Sequence, residues 1–204
     1  MRLRKRVASL ALLPVLMLAM LGFGTSTASA VSVDKVTGGQ FGLFVPLDNV
    51  SQLAHAGLFT TPIAPAYLTF TLEEGPAVRF PISGGTVESA TMLGTVNSKG
   101  GLIMERQFPD GTKKELQVTD VKILNGNMLV GNALGLVPAP TADLVNATHS
   151  KDPATGVIHY EADARINLVT ATILNTYFST DFFKDGFILG RVKGNIETDT
   201  LLGL

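Results

Sequence analysis

The chain has 204 residues, of which 16 are Lys or Arg and 17 are Asp or Glu, and it contains no cysteine. Four basic residues lie within the first six positions, so the remainder carries a formal charge of −5 and has no basic run for nucleic acid or an anionic bilayer. The absence of cysteine excludes disulfides, a nucleophilic thiol and a lipid anchor on an N-terminal cysteine, so an exported domain of this composition must be stable through burial alone.

The first 30 residues have the three parts of a secretory signal peptide. The basic segment Met1–Arg6 precedes the uncharged apolar run Val7–Phe23, and small residues follow at Ala28-Ser29-Ala30. The apolar run is slightly shorter than a membrane-spanning helix needs, although an uncleaved membrane anchor is the alternative. We therefore predict cleavage after Ala30, a single secreted or cell-surface β-rich domain over residues 31–204, and no membrane span after cleavage.

Residues 41–85 predict short strands separated by turns. The turn signals are spaced about ten residues apart, which is typical of a β-sandwich or barrel. A Ser-Gly-Gly triplet at residues 83–85 predicts a break in the chain. The predicted elements are strands over Phe41–Leu47, Tyr67–Leu72 and Val78–Ile82, a short helix or turn over Val50–Leu58, and a loop over Thr61–Pro65.

Two tight turns predict a three-stranded meander in the middle of the chain. The Asp-Gly pair in Phe108–Thr112 and the Asn-Gly pair in Leu124–Asn127 both supply residues that accept the positive φ angles of hairpin turns. The strand between them changes its apolar face, which predicts a bulge or bend near Thr119-Asp120.

The clearest strand signal runs over Val157–Leu168, where apolar and polar side chains alternate. A strand with one buried and one solvent-exposed face favours an antiparallel sheet. Helical spacing predicts a short helix over Thr170–Phe183 that Gly186 ends, and Phe187–Val192 predicts a final strand before a frayed tail. The predicted fold is mostly β: an antiparallel β-sandwich, or barrel-like sandwich, with one short late helix.

The chain lacks the motifs of the common hydrolases and nucleotide-binding enzymes. It has no Gly-x-Ser-x-Gly turn, no glycine-rich phosphate loop ending in Lys-Ser or Lys-Thr, and no His-Glu-x-x-His. The adjacent carboxylates Glu73 and Glu74 suggest the two-carboxylate chemistry of glycoside hydrolysis. Adjacent side chains in a strand or turn point apart, however, so a solvated connection is the simpler interpretation.

Two groups of residues are candidate binding sites. Strand alternation places His159, Glu161 and Asp163 on one face, with neighbours about 7 Å apart, where they could hold a divalent metal with a further ligand such as His149. An ordinary solvated strand face is the alternative. The aromatic residues near the carboxyl end are expected to be part of the hydrophobic core. The alternative is that they line an apolar pocket under the late helix, which would bind a lipid or a flat macrocycle. Tyr177, Phe182 and Phe183 are then the candidate cofactor-binding residues.

The glycine and apolar spacing of Phe80–Val87, Gly94–Leu102 and Leu174–Phe178 resembles that of secreted actinobacterial β-domains similar to the HtaA haem-uptake domain. The resemblance covers about Val36–Ile196. It implies an antiparallel sandwich with a short late helix, exposed at the cell envelope, and haem held by a tyrosine that a histidine supports. Where such domains tend to have a histidine in a glycine turn, this chain has Ser98–Gly101. No haem-binding residue is therefore carried over, and haem is one candidate ligand.

Three functions follow from these observations. The first is an exported, non-catalytic β-sandwich protein of the cell envelope with a binding or structural role, whose partner is a small apolar ligand or an envelope component. The second is a protein that binds haem or another apolar cofactor near Tyr177. The third is a hydrolase that uses an unrecognised pair of carboxylates.

Overall fold

A computed structural model describes residues 32–134 and 136–200, and the predicted signal peptide Met1–Ala30 lies outside this range. No helix in the described part is long and apolar enough to cross a bilayer. The elements in chain order are β1 Val33–Phe44, α1 Leu47–His55, β2 Leu58–Ile63, β3 Tyr67–Thr71, β4 Gly75–Glu88, β5 Gly94–Ser98, β6 Gly101–Gln107, β7 Lys113–Leu124, β8 Met128–Ala133, β9 Leu136–Lys151, β10 Ile158–Arg165, α2 Leu168–Phe178 and β11 Ile188–Thr200.

Eight antiparallel strands close into a barrel in the order β7, β5, β4, β1, β11, β10, β9, β8, and β8 pairs with β7 again. Strand β7 makes closure possible because it bends at Asp120, where φ is 50°. Its first half pairs with β6, and its second half pairs with β5 on one edge and β8 on the other. The prediction of a mostly β, antiparallel fold is confirmed, and of its two forms the barrel-like one is close. The sandwich is corrected to a barrel, since closure leaves no separate second sheet. Strands β2 and β6 extend the sheet from β7, and β3 extends it from β4.

The predicted strand over Val157–Leu168 is confirmed as β10, which ends earlier, at Arg165, because Leu168 begins α2. It alternates as expected, with Ile158, Tyr160, Ala162 and Ala164 all buried. Both predicted hairpins are present, between β6 and β7 and between β7 and β8. The register shift between Thr119 and Lys122 is the predicted bulge.

Two predicted interruptions are wrong, because the strands continue through them. Strand β4 runs through the Ser-Gly-Gly triplet, where Gly85 has a φ of 137° and a Cβ would lie 2.0 Å from the Thr95 carbonyl oxygen. Strand β2 covers most of the predicted loop over Thr61–Pro65. It accommodates Pro62 because it pairs with β6 alone and so forms an edge of the sheet.

Strands β5 and β9 have no counterpart in the sequence-based prediction. Strand β9 contains Pro138 and Pro140, which argue against a central strand. The pairing of β9 with β8 shifts register beside Pro140. This irregularity allows β9 to stay within the sheet although it contains prolines. The last strand, β11, extends to Thr200, further than the predicted end at Val192. The predicted start of the frayed tail is therefore too early in the chain.

The late helix is confirmed but is shorter than predicted, and α1 is a second helix where a helix or turn was expected. Helix α2 begins at an N-cap, where the side chain of Asn167 accepts a hydrogen bond from the Thr170 backbone N–H at 2.9 Å. It ends at Ser179, whose left-handed φ of 54° stops it well before Gly186. Its buried side of Ala171, Leu174 and Phe178 packs on the core, which offsets the weak propensity of its β-branched residues.

Candidate functional site

A groove of about 580 Å³ lies on the outer wall of the barrel. Cross-strand pairing places five residues of this wall in one row, because Gly42 of β1 pairs with both Arg79 and Lys193, Lys193 pairs with Glu161, and Glu161 pairs with Thr148. The row therefore crosses β4, β1, β11, β10 and β9. Directly paired residues point to the same side of a sheet, so these side chains share one surface.

The floor of the groove is aromatic and carries two cations. The guanidinium carbon of Arg79 lies 4.4 Å from the centre of the Phe44 ring, and the Lys193 Nζ lies 5.8 Å from the same centre. Gly42 lies between the two cationic residues. A Cβ at Gly42 would lie 2.8 Å from Cδ of Arg79, so the missing side chain lets the arginine stem lie across β1. The ring quadrupole stabilises both charges at this position.

Only one of these two cations is neutralised by a carboxylate. The ammonium of Lys193 donates to Glu74. No carboxylate of the described residues lies within ion-pair distance of Arg79, whose Nε instead lies 3.4 Å from the Thr69 hydroxyl. Glu161 is paired with Arg191 at 3.0 Å. Arg79 is therefore the cation of the groove that has no carboxylate partner among the described residues.

His159 stands on the rim with its ring held by a neighbour. Its Nδ1 lies 2.9 Å from the side-chain oxygen of Asn195, which can only accept a hydrogen bond. In the neutral ring, this contact places the proton on Nδ1 and the free electron pair on Nε2. A histidine oriented in this way through one ring nitrogen is suited to bind a metal through the other.

Three of the four predicted metal ligands, His149, His159 and Glu161, line the groove. Asp163 instead accepts from Asn146 at 2.9 Å and pairs with Arg191, and the ring of His149 contacts the Ala90 carbonyl oxygen at 3.0 Å. Within the described ranges, no three His, Asp or Glu side chains come together closely enough to hold a metal ion.

The predicted aromatic candidates lie elsewhere, because Tyr177 is in the last turn of α2 and Phe182 and Phe183 follow that helix. Tyr177 donates its hydroxyl to the backbone carbonyl of Glu115. Phe182 and Phe183 form an edge-to-face pair with centroids 5.1 Å apart. Phe183 also lines a separate apolar cavity of about 110 Å³, which Tyr177 and Phe182 do not line.

The tyrosine whose backbone lies nearest the groove points into the barrel. The Tyr160 hydroxyl donates to the Gly126 carbonyl oxygen at 2.8 Å, and burial raises the pKa of this tyrosine. A neutral, internally bonded hydroxyl is not available to a ligand in the groove. Of the carboxylates considered from the sequence, Glu73 and Glu74 both line a neighbouring depression, and Glu74 is the partner of Lys193.

Sequence reasoning missed Arg79, Lys193 and Phe44. Arg79 lies between the buried apolar residues Val78 and Phe80 of β4, and this single cation in an apolar run was the available signal. Alternation of apolar and polar residues indicates which side of a strand is exposed to solvent, but not which strands are neighbours. Because these residues lie on three strands, alternation could not bring them together.

No family model and no curated protein matches the chain. Among solved structures, the chain is similar to the C-terminal domain of HtaA from Corynebacterium glutamicum, with 15% sequence identity and a TM-score of 0.58. The match covers 81% of this chain and 99% of that domain. The distant similarity to HtaA that the sequence predicted is confirmed at the level of the fold.

Proposed function

We propose that this protein is an exported, non-catalytic binding protein of the cell envelope, and that its ligand carries an anionic group bound in the outer groove. The observation that carries the proposal is the half-buried guanidinium of Arg79, held over Phe44 without a carboxylate partner among the described residues. A carboxylate or phosphate can take up a bidentate contact with an arginine fork. Lys193 adds a second donor across Gly42.

Several observations support the other parts of the proposal. The basic, apolar and small-residue segments of Met1–Ala30 support export, and the HtaA-like fold fits a non-enzymatic protein of the envelope. Groove carboxylates Glu74 and Glu161 are each engaged by a cation, which favours structural ion pairs over a catalytic acid and base. Anionic groups on sugars are abundant in bacterial envelopes, so an acidic saccharide is the ligand class that we favour.

The test compares two sugars that differ in one carboxylate. N-acetylmuramic acid is expected to bind in a saturable way, followed by backbone amide chemical shifts, whereas N-acetylglucosamine is not. The substitution Arg79→Gln is expected to weaken binding by about 10- to 100-fold, since a hydrogen bond to a charged group contributes about 1.5–3 kcal/mol. Arg165→Gln is the matched control, because Arg165 is also on the outer wall but pairs with Asp143 outside the groove. Equal binding by both arginine variants would refute the proposal.

Haem is a second candidate ligand because His159 presents a free Nε2 on the rim of the same groove. Haem would place its two carboxylates near Arg79 and Lys193 and its iron at this histidine, without a tyrosine ligand. Hemin is expected to give a saturable Soret shift that His159→Ala removes and His55→Ala, on exposed α1, does not. Metal-free protoporphyrin separates iron ligation from binding through the carboxylates alone. No saturable spectrum with either compound would eliminate this candidate.

The non-catalytic part of the proposal has its own test. Chromogenic ester, phosphate and glycoside substrates are expected to show no turnover by the purified protein. Turnover that disappears in Glu74→Gln would instead support the hydrolase alternative, because Glu74 and Glu73 line one depression. Turnover retained in that variant would point to other residues or to a contaminant, which a mock purification distinguishes.

A further inference from the structure

A second cavity, separate from the groove, lies beneath α2 at one end of the barrel. Its volume is about 110 Å³, and it shares no lining residue with the outer groove. Strands β1, β4 and β6 to β11 contribute residues to its walls, and residues of α2 also line it. Characteristic lining residues are Met104, Leu116, Val121, Leu129, Ile173 and Phe183.

The lining offers almost nothing to a polar molecule. Among its side chains only Thr141 and Thr170 carry polar atoms, and their hydroxyls donate to the backbone carbonyls of Leu129 at 2.7 Å and Pro140 at 3.5 Å. A buried water needs two to four polar partners, and a charged group needs a counter-charge. The cavity is therefore suited to apolar atoms alone.

The mouth of the cavity is also apolar. Leu134, in the turn that follows β8, and Val169, in the first turn of α2, line the cavity and are 47% and 63% exposed. Ile173, one turn further along the helix, is half-buried beside them. An apolar molecule can therefore pass from solvent to the interior along one continuous apolar surface.

We propose that this cavity is a binding site for a small, uncharged apolar molecule, of the size of one aromatic ring or a short alkyl chain. Cavities of similar volume and lining stay dry and bind benzene or xenon. A larger planar cofactor exceeds this space, since sites for drug-sized ligands begin at about 300 Å³. The site is independent of the anionic ligand proposed for the outer groove.

The test titrates the purified protein with benzene and with benzoate, which has the same ring and one charge. Benzene is expected to give saturable shifts of the Ile173 and Val169 methyl resonances, whereas benzoate leaves them unchanged. Ala142→Leu places added carbons in the cavity opposite Leu129 and is expected to weaken benzene binding at least tenfold. Absence of saturable benzene shifts, or equal binding in Ala142→Leu, would overturn the proposal.

A pair of surface variants keeps the test independent of packing in the core. Val169→Glu places a carboxylate at the mouth and is expected to weaken benzene binding severalfold. Leu168→Glu is its control, because Leu168 is 65% exposed in the same helical turn and does not line the cavity. Arg79→Gln is expected to leave benzene binding unchanged, so failure at the groove and failure at the cavity are distinguishable. Equal weakening by both glutamate variants would contradict the assignment of the mouth.

Discussion

Removal of the Tyr160 hydroxyl tests the buried polar contact that joins the barrel wall to the β7–β8 turn. Tyr160 is 3% exposed and donates to the Gly126 carbonyl oxygen at 2.8 Å. Phenylalanine occupies the same space, so Tyr160→Phe removes the hydrogen bond and leaves a buried acceptor unsatisfied. This costs about 1–3 kcal/mol of the free energy of unfolding. For a domain of this size the melting temperature is expected to fall by roughly 2–12 °C.

The same variant predicts a specific dependence of stability on pH. Burial raises the pKa of Tyr160 above the ordinary value of about 10. Above pH 10 the unfolded chain releases this proton while the folded protein keeps it, so the unfolded state binds fewer protons and stability falls as the pH rises. Between the two pKa values the slope from this group is about 1.4 kcal/mol per pH unit. Tyr160→Phe lacks this contribution.

Urea unfolding at pH 7, 9 and 11 measures both effects. The variant is expected to be less stable than the wild type at pH 7 and 9, and the difference is expected to shrink by pH 11. Tyr177→Phe is the control, because its hydroxyl donates to the exposed carbonyl of Glu115, where water can replace it, and its cost is expected to stay below about 1 kcal/mol. A difference in stability between Tyr160→Phe and wild type that stays constant from pH 9 to 11 would contradict a raised pKa of Tyr160 in the folded protein.

Three further substitutions test the barrel and the position of α2. Gly85→Ala is expected to lower the free energy of unfolding in urea by at least about 3 kcal/mol, because its Cβ would lie 2.0 Å from the Thr95 carbonyl oxygen at a φ of 137°. The control Gly111→Ala, whose Cβ would have nothing within 4 Å, is expected to cost only about 1–2 kcal/mol. Arg106→Ala removes donors to two carbonyls at the C-terminal end of α2 and is expected to cost about 1.5–3 kcal/mol, with faster amide exchange in that turn; unchanged exchange would contradict this role. Phe178→Ala empties a fully buried ring site and is expected to cost about 3–5 kcal/mol in thermal unfolding, and a cost near zero would show that the helix does not anchor there.

The site was only partly predictable from sequence. Alternation along β10 correctly placed His159, Glu161 and Asp163 on the outer face, because the side-chain period of a strand is a local property. Their partners were not predictable, because Arg191 and Asn195 reach them from a strand about 30 residues later. Arg191 forms ion pairs with Glu161 and Asp163, and Asn195 contacts Nδ1 of His159.

The features that depend on local sequence patterns were predictable. Period-two alternation indicated β10, Asp-Gly and Asn-Gly pairs indicated the two hairpins, and three- and four-residue spacing indicated α2. Closure of the sheet into a barrel and the position of Arg79 and Lys193 on either side of Gly42 became visible only in the folded protein. Both depend on register between strands far apart in the chain, and register is set by which buried faces pack together once the bend at Asp120 lets β7 pair on both edges.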